Sequence, residues 1–487
     1  MDKLNGKVAK ATKWSGITTI VSRLISPITS MVLARLLTPE AFGVVATLTM
    51  IISFAELFTD AGFQKYLIQH EFKDDIDKDE STNVAFWSNF TMSIIIWCII
   101  IVFADPLATL VGNPGLGHVL IIACVSIPIA AFSSIQMALY RRDLDFKTLF
   151  KVKLVSLLMP LVVTIPLAFW LRSYWALIIG SIAQHSVNAI ILTYFSPWKP
   201  RRYYSFAKLK EMLSFTIWSL CEAVSIWLTM YVDVFIVGTM LSQHYLGLYK
   251  TSTTVVAQIT TLITTATTPV LFSSLSRLQN DDVAFQNMFF KFQKIVGMLV
   301  IPIGFGIFCF SDFITDIYLG SQWTEAAGFI GIWGLISALT IVLSHYCSEV
   351  YRAKGRPKLS VLGQWLHIIV LWPVILIFVK YGFETLYMAR SLVRIEGILV
   401  NLLIMYFCIH FPIWKMFRNI IPSILASCLM MAGAYALKSL NNSLWCNLIY
   451  IGVCIIIYST AIHLFPAERK IFDKYISNKF KNSFKKK

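Results

Sequence analysis

Lys250–Thr268 reads KTSTTVVAQITTLITTATT, and ten of its nineteen residues are Ser or Thr. As a loop it would be one polar connection among many. As a helix it would be a membrane span with one wet face. Helical geometry separates the two, because residues three and four apart share a face at about 100° per residue. Thr254, Gln258, Thr261, Thr265 and Thr268 fall with Lys250 on one broad face, and Val255, Val256, Ile259, Leu262, Ile263 and Ala266 fill the other. Only Ser252 and Ala257 break the segregation. A loop has no reason to sort its residues this way, so the stretch is predicted to be a membrane helix. Threonines also back-bond to their own helix and let helices pack closely, so a single one would mean little. A face this wide, carrying a lysine, points to a water-filled cavity.

The rest of the chain agrees with a lipid setting. Its 487 residues are 57% hydrophobic and 14% charged, with a mean hydropathy of +0.69; soluble domains are about 25% charged. Apolar windows of the length a bilayer requires, roughly 20 residues, recur from end to end. Fourteen spans are expected, the first near 15–37 and the last near 445–465. The chain therefore reads as an all-α polytopic membrane protein. The first apolar stretch carries Arg23 and lacks a small-residue cleavage site, so no cleavable signal is expected. The nine cysteines form no C-x-x-C pair, and no metal site, catalytic residue or nucleic-acid footprint is expected. The net charge of +16 reads instead as topology. With the N-terminus cytoplasmic, only Arg172, Lys380 and Lys438 lie outside, as the positive-inside rule requires, and both termini are then cytoplasmic. The tail FKNSFKKK suits anionic headgroups of membrane lipids.

An internal duplication organises the spans. Leu37–Gly43 (LTPEAFG) matches Leu241–Gly247 (LSQHYLG) at an offset of 204. Gly112 matches Gly320 at 208, and Tyr140-Arg141 matches Tyr351-Arg352 at 211. Three matches in order argue for two copies of a six-helix unit. Six is even, so both copies enter the membrane the same way and their pseudo-twofold axis runs along the membrane normal. The expected organisation is an N-terminal lobe 1–195, a basic linker 196–212, a C-terminal lobe 213–412, two additional spans in 413–468 and a basic tail 469–487.

Polar faces recur on the first two helices of each copy. Arg23 shares an arc with Ser15, Thr19, Ser22, Ser26 and Ser30 on the first span; Glu56 and Asp60 share a stripe on the second; Glu222 and Asp233 share one on the seventh. Ionisable groups in hydrocarbon usually face a bundle interior or wet cavity. Arg23 lies at the inner depth of Glu56, and Asp233 at the outer depth of Lys250. Each pair reads either as a structural salt bridge or as charges that serve a substrate. Arg390 and Arg394 share a face of the twelfth span and are candidates for an anionic ligand. Guanidinium groups and hydroxyls suit an anionic group attached to something that hydrogen-bonds. Buried acids can carry protons, so H+ or Na+ coupling is expected in place of a cofactor.

Met31–Gly43 (MVLARLLTPEAFG), then Thr59–Phe63 (TDAGF), then Tyr140–Phe146 (YRRDLDF) resemble bacterial polysaccharide flippases of the multidrug/oligosaccharidyl-lipid/polysaccharide exporter superfamily. The similarity runs over about residues 10–410. It implies two six-helix lobes around a central cavity, with the last two helices an addition known in 14-span members. It also implies translocation of undecaprenyl-diphosphate-linked oligosaccharide by alternating access in the bacterial inner membrane, with a polysaccharide polymerase and export machinery as neighbours. By position, Arg23 and Lys250 would hold the diphosphate. Two other readings compete. A drug/cation antiporter of the same superfamily would use Glu56, Asp60, Glu222 and Asp233, but Arg23, Lys250 and Arg394 oppose it. A membrane polymerase or glycosyltransferase would need a sizeable outer loop, and no such loop exceeds roughly ten residues. The longest internal loop, Gln64–Asn83 with its run EFKDDIDKDE, is expected to be a solvated surface loop.

Overall fold

The computed structural model describes residues 2–60, 62–441 and 443–473, the side chains of 2–9, 60, 213–219, 221 and 222 excepted. Among the described residues, fourteen helices are long and apolar enough to cross a membrane. They are α1 Lys10–Leu36, α2 Pro39–Thr59, α3 Asp75–Val102, α4 Gly117–Arg142, α5 Phe146–Leu171, α6 Trp175–Phe195 and α7 Ala223–Met240, followed by α8 Gln243–Arg277, α9 Asp282–Cys309, α10 Ser321–Ala353, α11 Lys358–Tyr381, α12 Phe383–Ile409, α13 Ile413–Lys438 and α14 Leu444–Ile462. No strand occurs among the described residues. The chain is a multi-pass membrane protein. Lipid leaves it little choice, since backbone groups in hydrocarbon must be satisfied within the segment.

The helix α8 is unbroken over 35 residues and contains all of Lys250–Thr268. At 1.5 Å per residue it is about 52 Å long, well beyond a bilayer core of about 30 Å. Other spans are interrupted. α4 turns at Cys124-Val125, and π-helical turns occupy Pro160–Thr164 in α5 and Ile341–His345 in α10. In the first of these, Pro160 has no N–H to donate, which loosens the helical ladder there.

The chain divides into two compact units, Met1–Lys250 and Thr251–Lys487. The division runs through α8 and not through the linker, because α7 packs on α2 within the first unit. In the second unit α13 and α14 pack on α9 and on each other. Tyr458 Oη donates to the Met298 carbonyl at 2.8 Å and Lys438 Nζ to that of Cys309 at 3.0 Å.

The duplicated motifs meet each other inside the first unit. A Cβ on Gly43 would lie 1.9 Å from the backbone oxygen of Gln243, and one on Gly247 would lie 1.8 Å from that of Pro39. Pro39 and Gln243 are separated by the same 204 residues as Gly43 and Gly247. The two approaches are thus one contact made in both directions, as a twofold relation requires. Glu40 and His244 are equivalents as well, and Glu40 Oε1 lies 2.6 Å from His244 Nδ1. Only glycine lets the backbones come this close.

The acidic run before and within the start of α3 is exposed over Lys73–Ile76, yet it is tied to a distant segment. Asp74 caps α3 by accepting from the Asp77 amide at 2.7 Å, so much of the acidic run EFKDDIDKDE is helical. Lys208 Nζ reaches Asp77 Oδ1 at 2.5 Å and Glu80 Oε2 at 2.9 Å, and Trp198 Nε1 donates to Asp79 Oδ1 at 2.9 Å. Burial alone would lower the Lys208 pKa; the hydrogen bonds to Asp77 and Glu80 outweigh it and hold the ammonium above the ordinary lysine range. The acidic segment is therefore pinned to the basic linker. Sequence reading missed this because the pairing partners lie more than a hundred residues apart. Among the described residues, no group of acids, histidines and cysteines could hold a metal ion.

The motif Tyr140–Phe146 also has a structural task. Arg142 Nη1 donates to the carbonyls of Leu67 at 2.7 Å and His70 at 2.8 Å, closing the end of the short helix Phe63–Gln69. Its guanidinium lies 4.6 Å from the centre of the Phe72 ring. Leu144 takes a left-handed backbone at φ 59°, and Asp145 caps α5 through the Thr148 amide at 3.1 Å.

Candidate functional site

In the first unit the polar residues of α7 and α8 come together around tyrosines. Asp233 is buried, and its Oδ2 accepts from Tyr249 Oη at 2.7 Å while Oδ1 accepts from the Val234 amide at 2.8 Å. Lys250 Nζ lies 5.3 Å from the centre of the Tyr231 ring. Asp233 and Lys250 thus each have an aromatic neighbour, Tyr249 for the acid and Tyr231 for the lysine. Arg23 on α1 and Glu56 on α2 are both half-buried. The Asp60 and Glu222 side chains lie outside the described residues.

Tyr231 continues into a run of rings that sequence reading did not single out. Trp227 stacks on Tyr231 at 5.4 Å, Phe54 lies 4.8 Å from Trp227, and Phe58 lies 5.2 Å from Phe54. Trp227 Nε1 donates to Ser53 Oγ at 3.0 Å, which sets the indole against α2. Phe54 and Phe58 stay about 40% exposed. Trp227 and Tyr231, each an apolar ring with a polar tip, are suited to a surface that is partly wet. The available signal was spacing: Phe54/Phe58 and Trp227/Tyr231 each lie four apart.

In the second unit both faces of α8 are partly open: Leu262 and Ala266 of the apolar face are exposed, and Thr251 of the hydroxyl face is buried. Thr254 and Thr265 are exposed and Thr261 is half-buried, whereas Val255 and Val256 are buried. Thr260, Thr261 and Thr267 donate to carbonyls one turn earlier at 2.9, 2.7 and 2.7 Å. This back-bonding uses each hydroxyl proton and leaves its oxygen as an acceptor. The face therefore presents acceptors to any ligand rich in O–H groups. Gln258 Oε1 accepts from Tyr318 Oη. Near the end of the stretch, Thr267 shares a hydrogen bond of 2.7 Å with Tyr346 Oη, and Thr268 lies 3.3 Å from His345 Nε2 in the π-helical turn of α10.

Arg390 and Arg394 lie together, both against α10. Their guanidinium carbons lie 5.0 and 4.2 Å from the centre of the Trp333 ring, and Arg394 Nη1 donates to Ser337 Oγ at 2.5 Å. A tryptophan face is the best aromatic partner for a cation. Glu396, which helical geometry places off the arginine face, meets His367 Nδ1 of α11 at 2.8 Å.

A family model described as "Polysaccharide biosynthesis protein" matches residues 32–328. The succinoglycan biosynthesis transport protein ExoT of Rhizobium meliloti (strain 1021) is 23% identical over 74% of this chain and 71% of its own. The lipopolysaccharide biosynthesis protein WzxC of Escherichia coli (strain K12) is 21% identical over 73% of this chain and 72% of its own. Among solved structures, the lipid II flippase MurJ in an inward closed conformation superposes with a TM-score of 0.72 at 16% identity, covering 92% of this chain and 98% of that one. At that identity the likeness speaks for the fold.

Proposed function

The chain belongs to the polysaccharide biosynthesis protein family, and on that premise we propose that it moves undecaprenyl-diphosphate-linked oligosaccharide across the bacterial inner membrane by alternating access. It is a transporter, a lipid-linked oligosaccharide flippase, and serves surface polysaccharide synthesis, with both termini on the cytoplasmic side. The twelve duplicated spans form two lobes, 1–195 and 213–412, and α13 and α14 are an addition to them.

The observation that carries this reading is the pairing of cations with a hydroxyl and aromatic lining on α2, α7 and α8. Sugars present alternating donors and acceptors and stack on rings, while a diphosphate needs cations. Lys250 lies on Tyr231 in the first unit, and Thr254, Thr261 and Thr265 carry hydroxyls along α8 in the second. Arg23 supplies a cation on α1, and Gln258 lies on the threonine face. Arg390 and Arg394 in the second unit, both held against Trp333, are assigned to an anionic group as well. Glu56, Asp60, Glu222 and Asp233 are assigned to H+ or Na+ coupling. A polymerase and export machinery are the partners that would receive the cargo.

Deletion of the protein tests the reading. Lipid-linked oligosaccharide should build up on the cytoplasmic leaflet, where an added glycosidase reaches it in inside-out vesicles. A lost surface glycan with an unchanged inner pool would remove the flippase function.

A further inference from the structure

A polar cavity of about 430 Å³ lies wholly within the first unit, where α1, α4, α5 and α6 converge. Its lining includes Thr19, Arg141, Lys153, Gln184, His185 and Asn188, and no carboxylate. Gln184, His185 and Asn188 share one face of α6, and none of them makes a side-chain hydrogen bond to another described residue. Unsatisfied amides and an imidazole inside a membrane span are costly unless water or a ligand meets them. A cluster serving packing alone would bond its members to one another.

The charge of the cavity narrows the ligand. Arg141 is oriented by Gln64, whose Oε1 accepts from Nη1 at 3.2 Å, and its guanidinium retains further N–H donors. Lys153 faces the same space from α5, is exposed, and forms no ion pair with a described residue. It lies seven residues inside the start of α5, about 10 Å along the helix at 1.5 Å per residue. Two cations on different helices, amide donors between them and no acid describe a site for an anion with hydroxyls attached. The size is that of a headgroup, within the range of ordinary ligand pockets of about 300–1,000 Å³.

We propose that this cavity binds a phosphate-bearing headgroup, with Arg141 and Lys153 on the phosphate and Gln184, His185 and Asn188 on its hydroxyls. The polar arc of α1 is then shared. Ser15 and Thr19 line this cavity, whereas Arg23 of the same arc does not. Membrane phospholipid and lipid-linked cargo both carry phosphate, and the site takes that shared chemistry.

Binding can be measured directly on the full chain in dodecyl maltoside micelles, which carry no phosphate, with phosphatidylglycerol added to the micelles and inorganic pyrophosphate in solution as separate probes. Native mass spectrometry reads lipid retention, and a thermal-shift titration reads both. Saturable binding is expected, weakened at least tenfold by Lys153→Gln and by Asn188→Ala. Lys151→Gln, an exposed lysine of the same helix absent from the lining, should leave it unchanged. Loss confined to phosphatidylglycerol assigns the site to a membrane lipid; loss confined to pyrophosphate assigns it to a diphosphate. Absence of saturable binding by either probe, or equal loss in Lys151→Gln, overturns the proposal. The readout is binding alone, so its failure leaves the flippase reading standing and the reverse holds too.

Discussion

Replacing Gly43 by alanine should pry apart the seam between the two copies of the duplicated motif. The new Cβ would sit 1.9 Å from the Gln243 carbonyl oxygen, about 1.5 Å short of ordinary van der Waals contact. The obstacle is backbone, so no side-chain rotation relieves it and the helices must part. Overpacking of this kind typically costs about 1–3 kcal/mol, and about 2 kcal/mol corresponds to roughly thirtyfold in an equilibrium between closed and parted seams. The pair Glu40→Cys and His244→Cys reports the seam through a short bis-thiol-reactive cross-linker, which spans the room left by two long side chains that touch at 2.6 Å. In that background the cross-link should form readily and slow by tenfold or more on adding Gly43→Ala. Gly247→Ala should act alike, because its Cβ meets the Pro39 oxygen at 1.8 Å. Gly306→Ala, where a Cβ would meet nothing within 4 Å, is the control. If Gly43→Ala cross-links as fast as Gly306→Ala, or if the two seam glycines behave differently, the reciprocal contact does not govern this seam.

Four further outcomes are expected. Arg23→Glu should abolish export of lipid-linked oligosaccharide while the protein stays in the membrane at its normal level; unimpaired export would take Arg23 out of the path. Trp227→Ala should cut transport of glycan-bearing lipid at least tenfold, with Trp227→Phe retaining most of it, because stacking on Tyr231 survives a phenyl ring; equal loss in both variants would point to the Ser53 hydrogen bond instead. Arg142→Ala leaves the carbonyls of Leu67 and His70 without their donor and should lower stability by about 1–3 kcal/mol, seen as a lower melting temperature in detergent that Arg142→Lys only partly restores. Lys208→Gln should cost about 1 kcal/mol near neutral pH. The folded-state pKa of Lys208 is raised, so its contribution is full below the ordinary lysine pKa and fades as pH rises through the raised value. Thermal unfolding of the two proteins should then converge in strong alkali, and a constant difference would exclude the ion pairs as its source.

The helical pattern was legible because lipid enforces local rules. The threonine face of α8 follows from a 3.6-residue period within a single helix, and the structure keeps Thr254 and Thr265 exposed while burying Val255 and Val256. The aromatic run was not legible. In a chain with 14% aromatic residues, Phe54 and Trp227 do not stand out until α2 and α7 are packed together. The ring partner of Arg394 was not legible either, because Trp333 lies 61 residues earlier. The acidic run before Asn83 looked solvated for the same reason, since Lys208 and Trp198 come from the linker.

The fourteen spans, the duplication and the amphipathic character of α8 were determined by the sequence alone, because a membrane helix must satisfy its backbone and declare its apolar length within one continuous segment. Tertiary structure alone decided which charges acquire ring partners, how the two copies of the motif interlock at Gly43 and Gly247, and that Gln184, His185 and Asn188 converge with Arg141 and Lys153 on one cavity. Such contacts join residues far apart in the chain. No local period encodes them, and only the packed helices bring their side chains within reach.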